Sequence, residues 1–188
     1  MKEIEAKIKI DDLFYSKFKK LNLKLNKRVK VLDIYFKMKN DEVLRLRKEN
    51  DIVFIAYKTP REKHKSLIIR EEYEIKIESF KTMKNILEKL GYKINSKAEK
   101  IREYYKFNNL IITIDEYPFI GKFIEIEGDE DKVLKFCKQN NLSKKQFIQK
   151  NCTELFLDHI KKNNLKFEKD PKLHFTFKDE KIDSNKIA

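Results

Sequence analysis

Glu3-x-Glu5 near the start of the chain and Glu125-x-Glu127 much later are pairs of carboxylates spaced by two residues, each set in a run that alternates charged and aliphatic side chains. Successive side chains of an extended strand point to opposite faces, so Glu3, Glu5, Lys7 and Lys9 share one face while Ile4, Ala6, Ile8 and Ile10 share the other. The alternation returns in Leu44-Arg45-Leu46-Arg47, in Arg70-Glu71-Glu72-Tyr73-Glu74-Ile75-Lys76-Ile77, in Lys100-Ile101-Arg102 and in Phe123-Ile124-Glu125-Ile126-Glu127. Carboxylates gathered on facing strands repel one another unless they are protonated or bridged by a cation. Mg²⁺ or Mn²⁺ suits Glu3, Glu5, Glu125 and Glu127, with Glu72, Glu74 and Asp115 as further oxygen donors, because these ions keep water or substrate phosphate in their remaining positions. The arginines are few against the lysine background, and those on the charged faces carry planar forks that match phosphate. Metal-assisted chemistry on a phosphate chain is what these residue types can do.

Other chemistries find less support. The only glycines are Gly91, Gly121 and Gly128, so neither a Walker-type phosphate loop nor a dinucleotide fingerprint is present, and side chains must bind any phosphate. His64, His159 and His174 are too scattered for a zinc site, and no Ser-His or Cys-His pair has local support. Cys137 and Cys152 form no C-x-x-C pair and read as buried structural thiols in a reducing compartment. The 188 residues suit one domain, and the formal net charge of +13 points to an anionic partner. No apolar run is long enough for a membrane span and the acidic start is not a signal peptide, so a cytoplasmic protein with no membrane partner is expected.

Strands must position these charges. The pattern predicts them at 2–10, 32–39, 42–49, 52–59, 66–78, 97–108, 110–117 and 121–128, with polar turns at 39–41, 49–51 and 108–109 that favour antiparallel hairpins. Helices are predicted over 11–21, 79–90, 129–140 and 144–162, the last with a break near Asn151. Leu173 to Phe177 could add a strand, and disorder is expected for the last ten residues. Strands with mixed charges on one face and aliphatics on the other build a barrel with a polar lumen and an apolar exterior covered by helices.

Glu3-x-Glu5-x-Lys7 resembles the ExExK signature of the CYTH family, the triphosphate tunnel metalloenzymes that include class IV adenylyl cyclases, thiamine triphosphatases and inorganic triphosphatases. The resemblance runs through Asp33-Ile34-Tyr35-Phe36, Leu44-Arg45-Leu46-Arg47, Lys58-Thr59-Pro60, Arg70-x-Glu72-x-Glu74, Lys100-x-Arg102, Asp115-Glu116-Tyr117-Pro118 and Gly121 to Glu127, covering roughly residues 1–160. It implies an α+β fold, an eight-stranded antiparallel β-barrel tunnel over 1–165, with 166–188 as a C-terminal extension, partly disordered or an added strand. It further implies that Glu3, Glu5, Glu125 and Glu127 bind metal, that Lys7, Arg45, Arg47, Lys58, Arg70, Lys100, Arg102 and Lys150 bind phosphate, and that Glu5, Glu72 and Lys7 serve catalysis. Where relatives often follow the lysine with Ser-Tyr, this chain reads Asn151-Cys152-Thr153-Glu154-Leu155 after Lys150.

The expected activity is a divalent-metal-dependent triphosphatase acting on inorganic triphosphate, ATP or thiamine triphosphate. The runner-up is class IV adenylyl cyclase, which would need a purine pocket; Tyr35, Phe36, Tyr57 and Tyr73 serve a core as well as a stack. A non-catalytic polyphosphate or RNA-binding module fits the charge, yet it gains nothing from four glutamates in the lumen, so nucleic acid is disfavoured. A homodimer is a permitted assembly.

Overall fold

A computed structural model describes residues 2–21, 23–62, 66–167 and 170–184 of the chain. The strands are β1 (Lys2–Ile10), β2 (Leu25–Phe36), β3 (Val43–Glu49), β4 (Ile52–Lys58), β5 (Ile68–Ile77), β6 (Ile94–Phe107), β7 (Leu110–Tyr117) and β8 (Gly121–Glu127). They close into a barrel in the order β1-β5-β4-β3-β2-β6-β7-β8, with every neighbouring pair antiparallel. Closure removes free sheet edges. Asn108 and Asn109 both take positive φ at the β6–β7 turn, the conformation a tight hairpin needs and asparagine tolerates. Gly128, after β8, has φ +153, a backbone conformation that favours glycine, and an added Cβ would lie 2.7 Å from Leu110 Cδ2 and 3.3 Å from Asn109 O, forcing both to give.

Helices cover the aliphatic exterior. α1 (Asp12–Lys19) and α3 (Glu130–Gln139) bring Phe18, Val133 and Phe136 onto Ala6, Ile8, Ile112, Ile114, Ile124 and Ile126 of β1, β7 and β8. Each of these isoleucines contributes about 1.5–3 kcal/mol on burial. α2 (Phe80–Lys89), capped by the Ser79 side chain, lays Leu87 and Met83 on Ile34, Phe36, Leu44 and Leu46. A third cluster closes one end of the barrel: Phe156 and Cys152 of α4 (Cys152–Asn163) meet Ala98, Tyr117, Ile120, Phe123 and Phe175.

Several expected boundaries are corrected. β2 starts at Leu25, seven residues before the expected 32, because Val29 and Val31 turn inward among lysines and pair with the long β6, which itself starts at Ile94. The helix expected over 144–162 is a 3₁₀ turn at Lys144–Gln146, then an extended stretch in which Phe147 bridges to Ile8 and Ile148 N–H donates to Lys7 O at 2.8 Å, then α4. The strand expected at 173–177 shrinks to one parallel bridge between Ala98 and Phe175, followed by α5 (Phe177–Ser184), so 179–184 is helical where disorder was expected. Residues 185–188 and His64 lie outside the described residues.

Candidate active site

The lumen is a polar cavity of about 370 Å³, lined by side chains from all eight strands, with Lys27 and Tyr35 contributed by β2. Its acidic corner follows from register. β1 pairs with β8 so that Glu5 lies opposite Glu127 and Lys7 opposite Glu125. Like charges directly across a ladder oppose each other. Burial and then Glu125 push the Glu5 carboxyl up to about 7, and burial and then Glu3 push Glu127 up to about 7 as well. Lys7 lies 2.9 Å from Glu125 but 3.9 Å from Glu5. Burial disfavours charge on Glu125, yet Lys7 and Arg102 outweigh it and hold Glu125 well below the usual carboxylate range. Lys58 bridges Glu3 at 2.8 Å and Glu72 at 3.1 Å.

The cationic centre consists of forks fixed by buried acids. Arg47 Nε and Nη2 donate to both oxygens of Asp33 at 2.7 and 2.9 Å. Arg102 Nε and Nη2 hold Asp115 at 2.6 and 2.5 Å, and Arg102 also reaches Glu125 at 2.7 Å. Lys100 Nζ donates to Asp115 at 2.7 Å. Burial, then the neighbouring Arg102 and Arg47, lower Lys100 to about 8. Arg45 pairs with Glu72 and Glu74 at 3.2 and 3.0 Å, and its Nε is buried without a partner among the described residues. Arg70 differs from all of these: it lines the cavity, is 7% exposed, and its side chain makes no ion pair or hydrogen bond among the described residues.

Every residue expected to bind metal or phosphate or to serve catalysis borders this cavity, and so does Glu74; Asp115, weighed as a further oxygen donor, does not line it and instead sits fully buried behind it, holding Arg102 and Lys100. Lys150 borders the cavity from outside the barrel wall, exposed and paired with Asp158 at 2.6 Å. Sequence reasoning assigned no site role to Arg61, held by Asp41 at 2.6 Å and by the Gln149 carbonyl, or to Tyr104, whose hydroxyl donates to Glu49. Asp33 was visible only as a motif letter; its inward parity in β2, opposite Arg47 across the ladder, was the available signal. Of the aromatics weighed for stacking, Phe36, Tyr57 and Tyr73 alternate onto the exterior and only Tyr35 borders the lumen.

Among the described residues no three His, Cys, Asp or Glu side chains are drawn together as a ready cation cage. The donor chemistry nonetheless fits a hard dication: four glutamates from two adjacent strands, two of them facing each other and reluctant to ionise together. A stability prediction follows from the same two groups. With folded values near 7 against an ordinary 4.5, Glu5 and Glu127 favour the native state below about pH 4.5, and that contribution is lost as pH rises toward 7. Chelator-treated protein should therefore lose up to about 1.4 kcal/mol per pH unit per group across this window in urea unfolding. Glu127→Gln should flatten the slope, and an unchanged slope would refute the pairing.

A CYTH domain profile matches residues 1–150. A Methanocaldococcus jannaschii protein provisionally named an adenylate cyclase is 38% identical, with 82% of this chain and 98% of that protein covered. Among solved structures, a Pyrococcus horikoshii protein superposes with a TM-score of 0.71 at 29% identity, covering 83% of this chain and 98% of its own. A Hippeastrum protein, described as an adenylyl cyclase candidate with a dominant triphosphatase activity, superposes with a TM-score of 0.61 at 17% identity, covering 83% and 95%. No helix among the described residues is long and apolar enough to cross a membrane.

Proposed function

Because the chain belongs to the CYTH domain family, whose members are adenylyl cyclases or triphosphatases acting on triphosphates, we propose that it hydrolyses inorganic triphosphate or a small organic triphosphate within the barrel lumen. The observation that carries hydrolysis over cyclisation is that all three tyrosines lining the cavity are already engaged. Tyr104 has Lys27 over its ring at 4.2 Å and Arg102 at 5.6 Å; Tyr117 is stacked on Phe175 with centroids 5.6 Å apart; Tyr35 donates to Asp33 at 3.2 Å. The rings of Tyr104 and Tyr117 are thus partly covered and the Tyr35 hydroxyl is committed, which favours a ligand that needs only the phosphate contacts, whereas cyclisation needs the nucleoside held so that its 3′-oxygen lies in line with the α-phosphorus.

A triphosphate carries about four negative charges, and its transfer chemistry is catalysed mainly by positioning and charge stabilisation. Arg45 and Arg47 of β3 and Lys100 and Arg102 of β6 present donors from different walls, and Lys7, Lys58 and Arg70 add charge from β1, β4 and β5. Buried Asp33 and Asp115 set the forks in advance, so little ordering is left to the binding step. Glu3, Glu5, Glu125 and Glu127 would hold Mg²⁺ or Mn²⁺, which when bound neutralises phosphate oxygens and polarises water. Burial works against charge on Lys7, but Glu125 and Glu5 keep it above the ordinary lysine range, so it acts as a fixed cation. Burial opposes ionisation of Glu72 too, but Lys58 and Arg45 hold it below the usual carboxylate range; it orients the attacking water as an acceptor and does not take the proton.

The second reading is adenylyl cyclase, favoured by the name of the Methanocaldococcus relative. Steady-state kinetics separate them. Inorganic triphosphate should be turned over with a kcat/KM at least about ten-fold above that for ATP, the scale of contacts that serve only the phosphate chain. A higher value for ATP would favour the cyclase.

A further inference from the structure

The sealed end of the barrel owes part of its structure to residues beyond those that the family profile covers. Phe175 is 1% exposed, and the segment that carries it is fastened to β6 and to the turn that follows β7. Glu99 N–H, one residue before Lys100, donates to Phe175 O at 2.9 Å, and Phe177 N–H donates to Glu99 Oε2 at 3.2 Å. In the turn after the neighbouring strand β7, Phe119 N–H, two residues after Tyr117, donates to Glu180 Oε1 at 2.6 Å. The Phe175 ring lies between Phe156, at 4.3 Å and 7°, and Tyr117, at 5.6 Å and 12°. Tyr117 turns its other end to the cationic centre: Lys100 Nζ donates to its hydroxyl at 3.2 Å, and that hydroxyl lies 3.4 Å from Asp115 Oδ2.

We infer that Phe175 is a positioning residue of the phosphate clamp, holding Lys100 on its lumen-facing course through Tyr117, and that the C-terminal segment 170–184 is therefore part of the binding apparatus. This rests on the triphosphate reading of the lumen. The apolar face of Tyr117 has Phe175 as its floor. Removing that ring opens a void into which Tyr117 can sink, breaking its contact with Lys100 and letting water reach an ammonium that is now 3% exposed. The charged groups facing Lys100 come from four other strands: Asp33 of β2, Arg47 of β3, Asp115 and Tyr117 of β7, and Glu125 of β8, with Arg102 on its own strand. Since burial is the first cause of its lowered value, hydration raises it.

The test compares Phe175→Ala with Phe136→Ala, a control that removes a ring of equal size from the exterior core, where Phe136 packs edge-on to Phe107. NMR of the lysine side chains follows the Lys100 titration in ligand-free protein, and calorimetry measures inorganic triphosphate binding. Phe175→Ala should move the Lys100 midpoint up by about one pH unit. It should also weaken triphosphate about ten-fold, the scale of one charge-assisted hydrogen bond. Phe136→Ala should lower the melting temperature and change neither. Phe175→Leu keeps apolar filler without the ring stack; it should give an intermediate shift, and it decides the matter if the alanine variant does not fold. A folded Phe175 variant with wild-type titration and affinity overturns the inference, as does a control that moves both equally. Wild-type protein that fails to bind triphosphate would refute the functional reading alone, because the Lys100 titration still reports the positioning.

Discussion

Glu5→Gln should lower turnover in Mg²⁺ or Mn²⁺ by about two orders of magnitude, the scale for removing one positioned electrostatic group, while the barrel stays folded. The fold should tolerate the change because Glu5 faces Glu127 across the ladder and has only a 3.9 Å contact with Lys7, so the amide removes a repulsion and little attraction. Above pH 7 this variant should melt no lower than the wild type. Glu125→Gln should lose as much activity but is the poorer probe. Glu125 pairs with Lys7 at 2.9 Å and Arg102 at 2.7 Å, and unpairing buried charges costs about 3–5 kcal/mol. Metal titration by calorimetry should show Glu5→Gln binding Mn²⁺ more weakly. Wild-type turnover by Glu5→Gln, or by either protein in chelator, would refute the metal assignment.

Replacement of the forks should separate ligands by chain length. On the proposed function, Arg47→Ala and Arg102→Ala would each remove a cation that meets one point of an extended phosphate chain, and triphosphate affinity should fall about 100-fold against a few-fold for orthophosphate. Arg47→Ala also removes the ion-pair partner of Asp33, buried at 1% exposure, whereas Arg102→Ala leaves Asp115, at 0%, paired with Lys100 at 2.7 Å. Arg47→Ala should therefore be measured together with Asp33→Asn, which leaves no uncompensated charge. Arg70→Ala makes the contrast. Having no ion pair to lose among the described residues, it should fold as well as the wild type, and because its charge is available to any anion in the lumen it should weaken orthophosphate and triphosphate alike. Calorimetry with both ligands reads all of this. Equal losses for both ligands in Arg47→Ala would make that arginine structural.

The barrel was legible because alternation with mixed charges on one face is a strong signal, and a one-residue slip would have put Glu3, Glu5 and Lys7 in the helix-covered core. The carboxylate pairs and the Arg-x-Arg and Lys-x-Arg forks were legible for the same reason. What the sequence hid was pairing across space. The Asp33–Arg47 and Asp115–Arg102 forks depend on registers between β2 and β3 and between β6 and β7 that no local pattern states. The extended stretch at 147–151 was hidden because its residues have acceptable helical propensity, and only the bridge from Phe147 to Ile8 pulls it straight. The tail misled in the opposite sense. Its polar composition reads as loose chain, but Phe175 is held by two aromatic stacks and a backbone hydrogen bond to β6.

The central claim, that the lumen hydrolyses a triphosphate, is tested most directly by phosphorus NMR of products. Purified protein would be incubated with inorganic triphosphate and, separately, with ATP, each in Mg²⁺ and in Mn²⁺. The account predicts orthophosphate and pyrophosphate from inorganic triphosphate, dependent on the metal and abolished in Glu5→Gln. Conversion of ATP to cyclic AMP and pyrophosphate, with inorganic triphosphate left intact, would contradict it.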